Sequence, residues 1–389
     1  MPLLNSSKKS KTVVGLDIEA GSIAATELRV NGSVEVERQG VMTLPPGVFR
    51  EGEVVDPDAL GASIKELFAE HKLSPNVRLG IANQRVAVRS LQLPPIDDPG
   101  ELETAIRFQA QDHIPMPLDQ AVLDWQVVGH IQTESGERRI EVVAVAARRD
   151  MLGNVMSALN VAGVRPVGID HSAFGMIRAL AGEPGSAVGS GQYISAPSYE
   201  ERITAGDATT EAMPEVAEAA DVGPHQPARL YCNLGDVTNL AVARGRSCLF
   251  TRISSFGMEG IAQKLAERRQ LTLEHSRQWL VHVGLEQPVE QIDGDADHVA
   301  VARECLAEGT AKLADELRLS LEYYGAQEGA VAVEGVVACG PGTTVPGLVD
   351  RLQRELGHPF TVARPGALAH LDEAAAARFT LSYGLALEE

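Results

Sequence analysis

The sequence predicts an α/β protein of two lobes with an inserted subdomain, and three observations carry that reading. The runs VVGLDIEAGSIAATEL from Val13 and LYCNLGDVTNLAVARG from Leu230 are each an apolar strand that ends in an acidic residue inside a Gly/Ser/Thr turn and then resumes as a strand. Both runs lead into the same succession of elements, a third strand and then helices alternating with strands, which is the pattern of mixed α/β layers. Between them lies a block, from about 85 to 163, whose strand–helix–strand–strand–helix order is compact enough to be a subdomain. Two acidic hairpins far apart in sequence can face each other across a cleft and hold the phosphates and metal of a nucleotide from opposite sides. Alone, each is an ordinary turn satisfied by its own backbone. Their pairing makes nucleotide binding the first hypothesis.

In the first half, VEVERQGVM adds a third strand and residues 45–52 make a turn-rich link. Pro57 then opens a helix over about 58–71, with Leu60, Ile64 and Leu67 on one face and Asp56 or Asp58 placed to cap it. VRLGIA comes next as a strand. In the block, VAVRSLQLPP is a strand closed by Pro94-Pro95, and a helix runs from about 102 to 115. A hairpin turns at about 134–137, and MLGNVMSALNVAG is a helix ending at Gly163. The chain returns through PVGIDHSAFGMIRAL, a strand, an Asp and a helix. From 181 to 227 it is rich in Gly, Ala, Ser, Pro and acidic residues without an apolar period, and reads as a flexible linker or loop. After the second hairpin come the strand SCLFTRIS, helices from Gly257 and over Leu273–Val283, and a longer helix over about 299–324. The strand VEGVVACG and the helix VPGLVDRLQREL complete the second half. The last helix, about 374–387, has Phe379, Tyr383 and Leu387 at the spacing of a core face. The expected organisation is a first lobe over 10–84 and 166–180, the insert over 85–165 and the linker over 181–227. A second lobe covers 228–373, and a C-terminal helix over 374–389 packs back toward the first lobe.

A chain of 389 residues is long enough for two or three cores. Its formal charge of -19, uninterrupted by a basic stripe, argues against a nucleic-acid partner or an anionic membrane surface. Cys232, Cys248, Cys305 and Cys339 form no CxxC pair and read as buried thiols of a reducing compartment. The basic start MPLLNSSKKSKT lacks the apolar core of a signal peptide, and the longest apolar runs are strand-length. The expected location is cytoplasmic, at the inner face of the cell membrane through a partner.

Asp17 can hold a hydrated Mg²⁺ through its waters while the turn amides at Gly21, Ser22 and Ile23 point at phosphates; otherwise it is a turn carboxylate satisfying its own backbone. Asp236 has the same two readings, with Thr238 adding a hydroxyl and Gly235 allowing close backbone approach. Asp170 either caps the helix after it or faces the cleft and orients an attacking water. The glycine-rich run from Cys339, with Gly340, Gly342 and Thr343, can pack against an adenosine or simply turn the chain. Glu316 and Arg318 reach the base or ribose or are solvated charges, and Gly257 places a helix N-terminus near a phosphate. His171 reads as a surface residue at a helix start. No Walker motif, GxGxxG, HExxH or GxSxG occurs, so covalent catalysis has little support.

With these residues assembled, the chain resembles the actin-like ATPase superfamily, a two-lobed ribonuclease H-like fold, and within it the type IV pilus assembly PilM family. GLDIEAGSIAATEL looks like that family's first phosphate loop. LPPGVFREGEVVDPDAL, LGIANQRVAVRSLQLPP, AIRFQAQDHIPMPLDQAVLDWQVVG and AGVRPVGIDHSAFGMIRAL look like its signature blocks. The resemblance implies ATP with Mg²⁺ bound between the lobes, Asp17 and Asp236 at the two phosphate loops, Asp170 at the connecting segment, and Gly340 with Gly342 at the adenosine loop. It implies that the insert is the one shared with the cell-division protein FtsA. The implied partner is the cytoplasmic N-terminal tail of a PilN-like membrane protein, and through it a PilO-like protein and the assembly ATPases; self-association is left open. Glu19 stands where the family usually has glycine and Ala24-Ala25 where a lysine is common, which adds negative charge beside the phosphates and removes an attractive one. A sugar-kinase-like phosphotransferase and an FtsA-like division protein are the alternatives. The first needs a catalytic carboxylate beyond Asp170, and the second a basic amphipathic terminus where this chain has YGLALEE. The insert helix carries Ile106, Phe108, Ala110 and Ile114, which do not share one face. Phe108, Gln109 and Gln111 are therefore candidates for contacting the partner tail in the groove that the family uses, unless all pack internally.

Overall fold

The computed structural model describes residues 11–30, 33–132, 136–181, 227–327 and 329–387. The stretch read as a linker lies outside these residues except for Ala181 and Pro227, and the tip of the expected hairpin at about 134 lies partly outside them. Two compact units form: one from the described parts of 11–84, 154–181 and 227–387, the other from 85–153.

The larger unit contains one sheet plan twice. In the first sheet, β1 (Lys11–Ile18), β2 (Ser22–Val30) and β3 (Val34–Thr43) form an antiparallel meander. β6 (Asn76–Ile81) and then β10 (Arg165–His171) add in parallel on the other side of β1. In the second sheet, β11 (Ala228–Leu234), β12 (Thr238–Arg244) and β13 (Ser247–Ser254) form the meander, and β14 (Val333–Cys339) and β15 (Phe360–Val362) add in parallel beside β11. Counted within each sheet, both have the order 3-2-1-4-5. The link at 45–52 contains a short pairing of β4 (Phe49–Arg50) with β5 (Glu53–Val54), too brief to register as periodicity.

Helices cover the sheets where capping and burial direct them. α1 (Pro57–His71) starts on Asp56, whose carboxylate accepts the Ala59 amide at 3.0 Å, and buries Leu60, Ile64, Leu67 and Phe68. The second sheet is backed by α5 (Met258–Arg269), α6 (Leu273–Val283), the 30-residue α7 (Ala296–Gly325) and α8 (Leu348–Leu356), around Leu230, Leu240, Leu265, Leu306, Leu313 and Leu352. The four cysteines are unpaired, and Cys232, Cys305 and Cys339 are buried. No helix of the described residues is long and apolar enough to cross a membrane.

The smaller unit is a three-stranded antiparallel sheet of β7 (Val86–Leu93), β9 (Arg138–Arg148) and β8 (Ala121–Gln132), in that order, covered by α2 (Pro99–His113). Leu102, Ile106 and Ala110 turn inward with Leu91, Leu123 and Val142. α3 (Arg149–Ala162) completes the β-α-β-β-α order, and the boundary between the units falls within it, after Gly153.

Two helices lie between the duplicated sheets. α4 (Ser172–Leu180) packs Ala173, Met176 and Ile177 against Tyr231, Ala241 and Val337 of the second sheet. α9 (Glu373–Ala386) packs Tyr383 and Ala386 with Leu28 and Ala179, and its Ser382 hydroxyl bonds Thr26 of β2 at 2.8 Å. Glycine allows backbones to meet: a Cβ on Gly384 would collide with the Gly175 carbonyl, and one on Gly15 with the Ser382 carbonyl. Because both obstacles are backbone, Gly384→Ala is expected to cost about 2 kcal/mol or more. Gly325→Ala at the end of α7, where a Cβ meets nothing within 4 Å, should stay within about 0.5 kcal/mol. Urea midpoints of the two variants check this; equal midpoints would disprove the close crossing.

Candidate functional site

The first hairpin has four residues between the paired Ile18 and Ile23, and the second has three between the paired Leu234 and Thr238. Ile18 joins Ser22 through Glu19, Ala20 and Gly21, and Leu234 joins Thr238 through Gly235, Asp236 and Val237. Counted from the ends of the first strands, Ile18 and Leu234, the positions are comparable. The counterpart of Asp17 in the second hairpin is Asn233, the counterpart of Glu19 is Gly235, and Asp236 corresponds to Ala20. Asp17 and Asp236 are therefore not at equivalent positions. Asp17 is on its strand and Asp236 in its loop.

The hairpins clasp each other. Asp236 Oδ2 accepts the Gly21 amide at 3.3 Å, and the Asp236 amide donates to Glu19 Oε1 at 3.3 Å. Glu19 fixes its own turn by donating its amide to the Ser22 carbonyl at 2.9 Å, while the Ser22 amide returns to Glu19 at 3.4 Å. Gly257, the N-cap of α5, sits against the Gly235 and Asp236 carbonyls, and the Met258 amide donates to the Gly235 carbonyl at 2.9 Å. Thr238 spends its hydroxyl on the Phe256 carbonyl, at 2.8 Å, which holds the segment before α5.

The glycine-rich turn joins the same place. Gly340 has φ +85 and lies against Asn233, Gly342 lies against Leu234, and Thr343 Oγ1 donates back to the Gly340 carbonyl at 2.8 Å. Asn233 also accepts from Cys339 Sγ at 3.7 Å. Asn239, opposite Asn233 on β12, is fully buried with neither amide atom partnered among the described residues.

The electrostatics arise from crowding acids. Burial first, and then the Asp236 charge, raises the Asp17 carboxyl from 3.8 to about 7. Burial, Asp236 and Asp17 hold Glu19 well above the usual carboxylate range. Asp236 is raised by burial and drawn back by Arg277 and by the Gly21 and Ala20 amides. Arg277, from α6, lies over Gly21 and pairs with Glu259 at 2.5 Å. Nothing in HSRQWL signals that role; only the fold brings this cation to the turn.

Three expected residues are engaged elsewhere. Asp170 forms a buried ion pair with Arg178 and does not cap α4; His171 does, with Nδ1 accepting the Ala173 amide at 3.1 Å. His171 is 4% exposed instead of at the surface, and burial lowers its pKa to about 4. Glu316 pairs with Arg252 of β13 at 3.3 Å, and Arg318 with Asp315 at 2.5 Å. On α2, Phe108 is 73% exposed over a hollow of about 570 Å³ lined by Asp98, Gly100, Glu101, Thr104 and Ala105. Gln111 is exposed on the same helix, whereas Gln109 donates to the Gln92 carbonyl of its own sheet at 3.4 Å.

The acids and glycines fit a phosphate bound with Mg²⁺. Hard carboxylate oxygens suit Mg²⁺, which usually keeps one or two carboxylates and completes its shell with water and substrate phosphates. No group of three or more His, Cys, Asp or Glu among the described residues is placed to hold a metal. The raised carboxyls gain from a cation that relieves their repulsion.

Two sheets of one plan, joined by crossing helices and bearing paired acidic hairpins, define the two-lobed actin-like class. A solved structure described as "PilM-PilN type IV pilus biogenesis complex" has the same fold, with TM-score 0.70 at 22% identity, covering 96% of this chain and 97% of that one. Residues 15–183 match the family model of the type IV pilus assembly protein PilM. More distant matches include MreB5 of Spiroplasma citri bound to ADP (TM-score 0.49, 12% identity, 96% of this chain and 94% of that one). Another is the ethanolamine utilization protein EutJ from Carboxydothermus hydrogenoformans (TM-score 0.48, 12% identity, 97% and 89%).

The raised Asp17 carboxyl makes stability depend on pH. Its folded-state value lies above the unfolded one, so the folded state binds the extra proton, and stability falls as pH rises from about 4 to about 7. His171 works in the opposite direction, losing stability as pH falls from 6.5 toward 4. Asp17→Asn is therefore expected to be more stable than the parent at pH 8, with the gap closing by pH 5. Thermal melts of both proteins across that range test it; a constant gap would show that Asp17 does not titrate as described.

Proposed function

We propose that this chain binds ATP with Mg²⁺ between its two acidic hairpins and is a component of a type IV pilus inner-membrane assembly complex, where it holds the N-terminal tail of a PilN-like protein. The observation behind the nucleotide reading is the mutual approach of the two turns, with Asp17, Asp236, Gly21, Gly235, Gly340 and the α5 N-terminus in one place. Asp17 and Asp236 would hold the metal through its waters, and the Gly21 amide, once released by the Asp236 carboxylate, would orient a phosphate oxygen. Gly340, Gly342 and Thr343 would back the adenosine. Bound Mg²⁺ would supply charge neutralisation. Asp170, neutralised by Arg178, is poorly placed to act as a free base, which favours a nucleotide-dependent scaffold over a small-molecule kinase.

For the partner, the support is the family match together with the exposed Phe108. An aromatic side chain standing in water beside a hollow gains from a partner's apolar residue, and Gln111 on the same helix can meet an extended backbone. PilO-like proteins and the assembly ATPases would be reached through that partner.

Calorimetric titration should give Mg²⁺-dependent ATP binding, weakened by about 1–3 kcal/mol in Asp17→Ala and Asp236→Ala. Parent-like titration of both variants would remove the assignment. A peptide of the PilN-like N-terminus should bind, and Phe108→Ala should cost it about 1 kcal/mol or more. Unchanged affinity would move the tail elsewhere.

A further inference from the structure

We propose that Glu19 is an internal competitor for the phosphate site, and that Arg277 is the cation which an incoming phosphate shares when it displaces the Glu19 carboxylate. The proposal rests on the nucleotide reading above and deepens it: it names the residues that decide how readily the site opens to an anion.

The duplication provides an internal standard. Counted from the end of the first strand, the position of Glu19 is held in the second hairpin by Gly235, and that turn closes with no carboxylate there. The Glu19 side chain does not serve its own turn, which is held by the backbone bonds between Glu19 and Ser22. Instead it crosses to the other hairpin and accepts the Asp236 amide at 3.3 Å. Gly235 makes room for it, since a Cβ there would collide with Glu19 Oε1. A loop amide aimed at an oxygen anion is the donor a phosphate would use; here a side chain of the same chain has taken it. The Asp236 carboxylate likewise occupies the Gly21 amide, at 3.3 Å. Both turns thus spend donors on each other's carboxylates.

The cation is in place as well. Arg277 lies over Gly21 and is balanced by Glu259 at 2.5 Å and Glu274 at 3.7 Å, half-buried, with Asp236 close enough to feel its charge. Guanidinium is suited to bidentate contact with phosphate and stays charged. It occupies the first turn from a helix distant in sequence, where Ala24-Ala25 offers no charge. Opening therefore exchanges one anion for another at the same donors. An entering triphosphate must displace Glu19 from the Asp236 amide, and it crowds that side chain more than a diphosphate does.

The test compares the parent with Glu19→Ala, Glu19→Gln and Arg277→Gln, by Mg·ATP and Mg·ADP calorimetry and by amide hydrogen exchange without nucleotide. Glu19→Ala should bind Mg·ATP about tenfold tighter, with a smaller gain for Mg·ADP and faster exchange at Asp236. Glu19→Gln, which keeps an acceptor but no charge, should gain ATP affinity while preserving more of the Asp236 protection. Arg277→Gln should lose about tenfold for ATP. Equal or weaker ATP binding by Glu19→Ala when the parent binds, or unchanged Asp236 exchange, would overturn the competitor. If none of the proteins binds nucleotide, the nucleotide reading itself falls and this proposal with it.

Discussion

Everything at the paired hairpins depends on how closely α4 and α9 cross. Gly384 meets the Gly175 backbone with no side chain between them, and Gly15 lets α9 lie on β1. Arg178 of α4 donates Nε to the Gly384 carbonyl at 3.1 Å and pairs with Asp170 at the end of β10. One guanidinium thus ties the helix crossing to the first sheet. A buried pair of this kind contributes little by its presence, but losing one partner strands a charge and costs about 3–5 kcal/mol. Ser382 extends the tie to Thr26 on β2. The distance between the two sheets is fixed by these contacts, and with it the separation of the two turns.

On that frame, repetition of one sheet plan brings two short loops into mutual reach. Their chemistry differs. The first carries three acids or small residues in the order Asp17, Glu19, Gly21, and the second carries Asn233, Gly235, Asp236. The result is a cluster in which carboxylates are held by amides of the opposite turn and pushed upward in pKa by burial and by one another. Such a cluster is costly to the isolated fold. It becomes favourable when a cation or a rearranged anion relieves it, which is the physical basis of a site that responds to its ligand.

The local devices are legible in the sequence because they act over a few residues. Pro57 after Asp56 opens a helix, apolar alternation makes NVRLGI a strand, and the misfit of Phe108 with Ile106 and Ala110 marks a helix with two faces. The turn with Asp17 and the turn with Asp236 are visible for the same reason. Their positions are set by strand register, which depends on long-range pairing and makes Asn233 the counterpart of Asp17. The cap of α4 differs from expectation too. Adjacent Asp170 and His171 both suit an N-cap, and the burial of Arg178 beside Asp170 leaves the cap to His171.

The sequence by itself determined the strands and helices, the two acidic turns, the inserted β-α-β-β-α block and the face of α2 left to water, since each stems from periodicity, propensity or a cap. Only the tertiary structure decided that Glu19 reaches Asp236, that Arg277 stands over Gly21 and that Glu316 goes to Arg252. Those contacts join residues far apart in the chain. A side chain's reach and charge are written in its own identity, but its partner is chosen by the packing of helices and sheets that brings the two within a few ångströms.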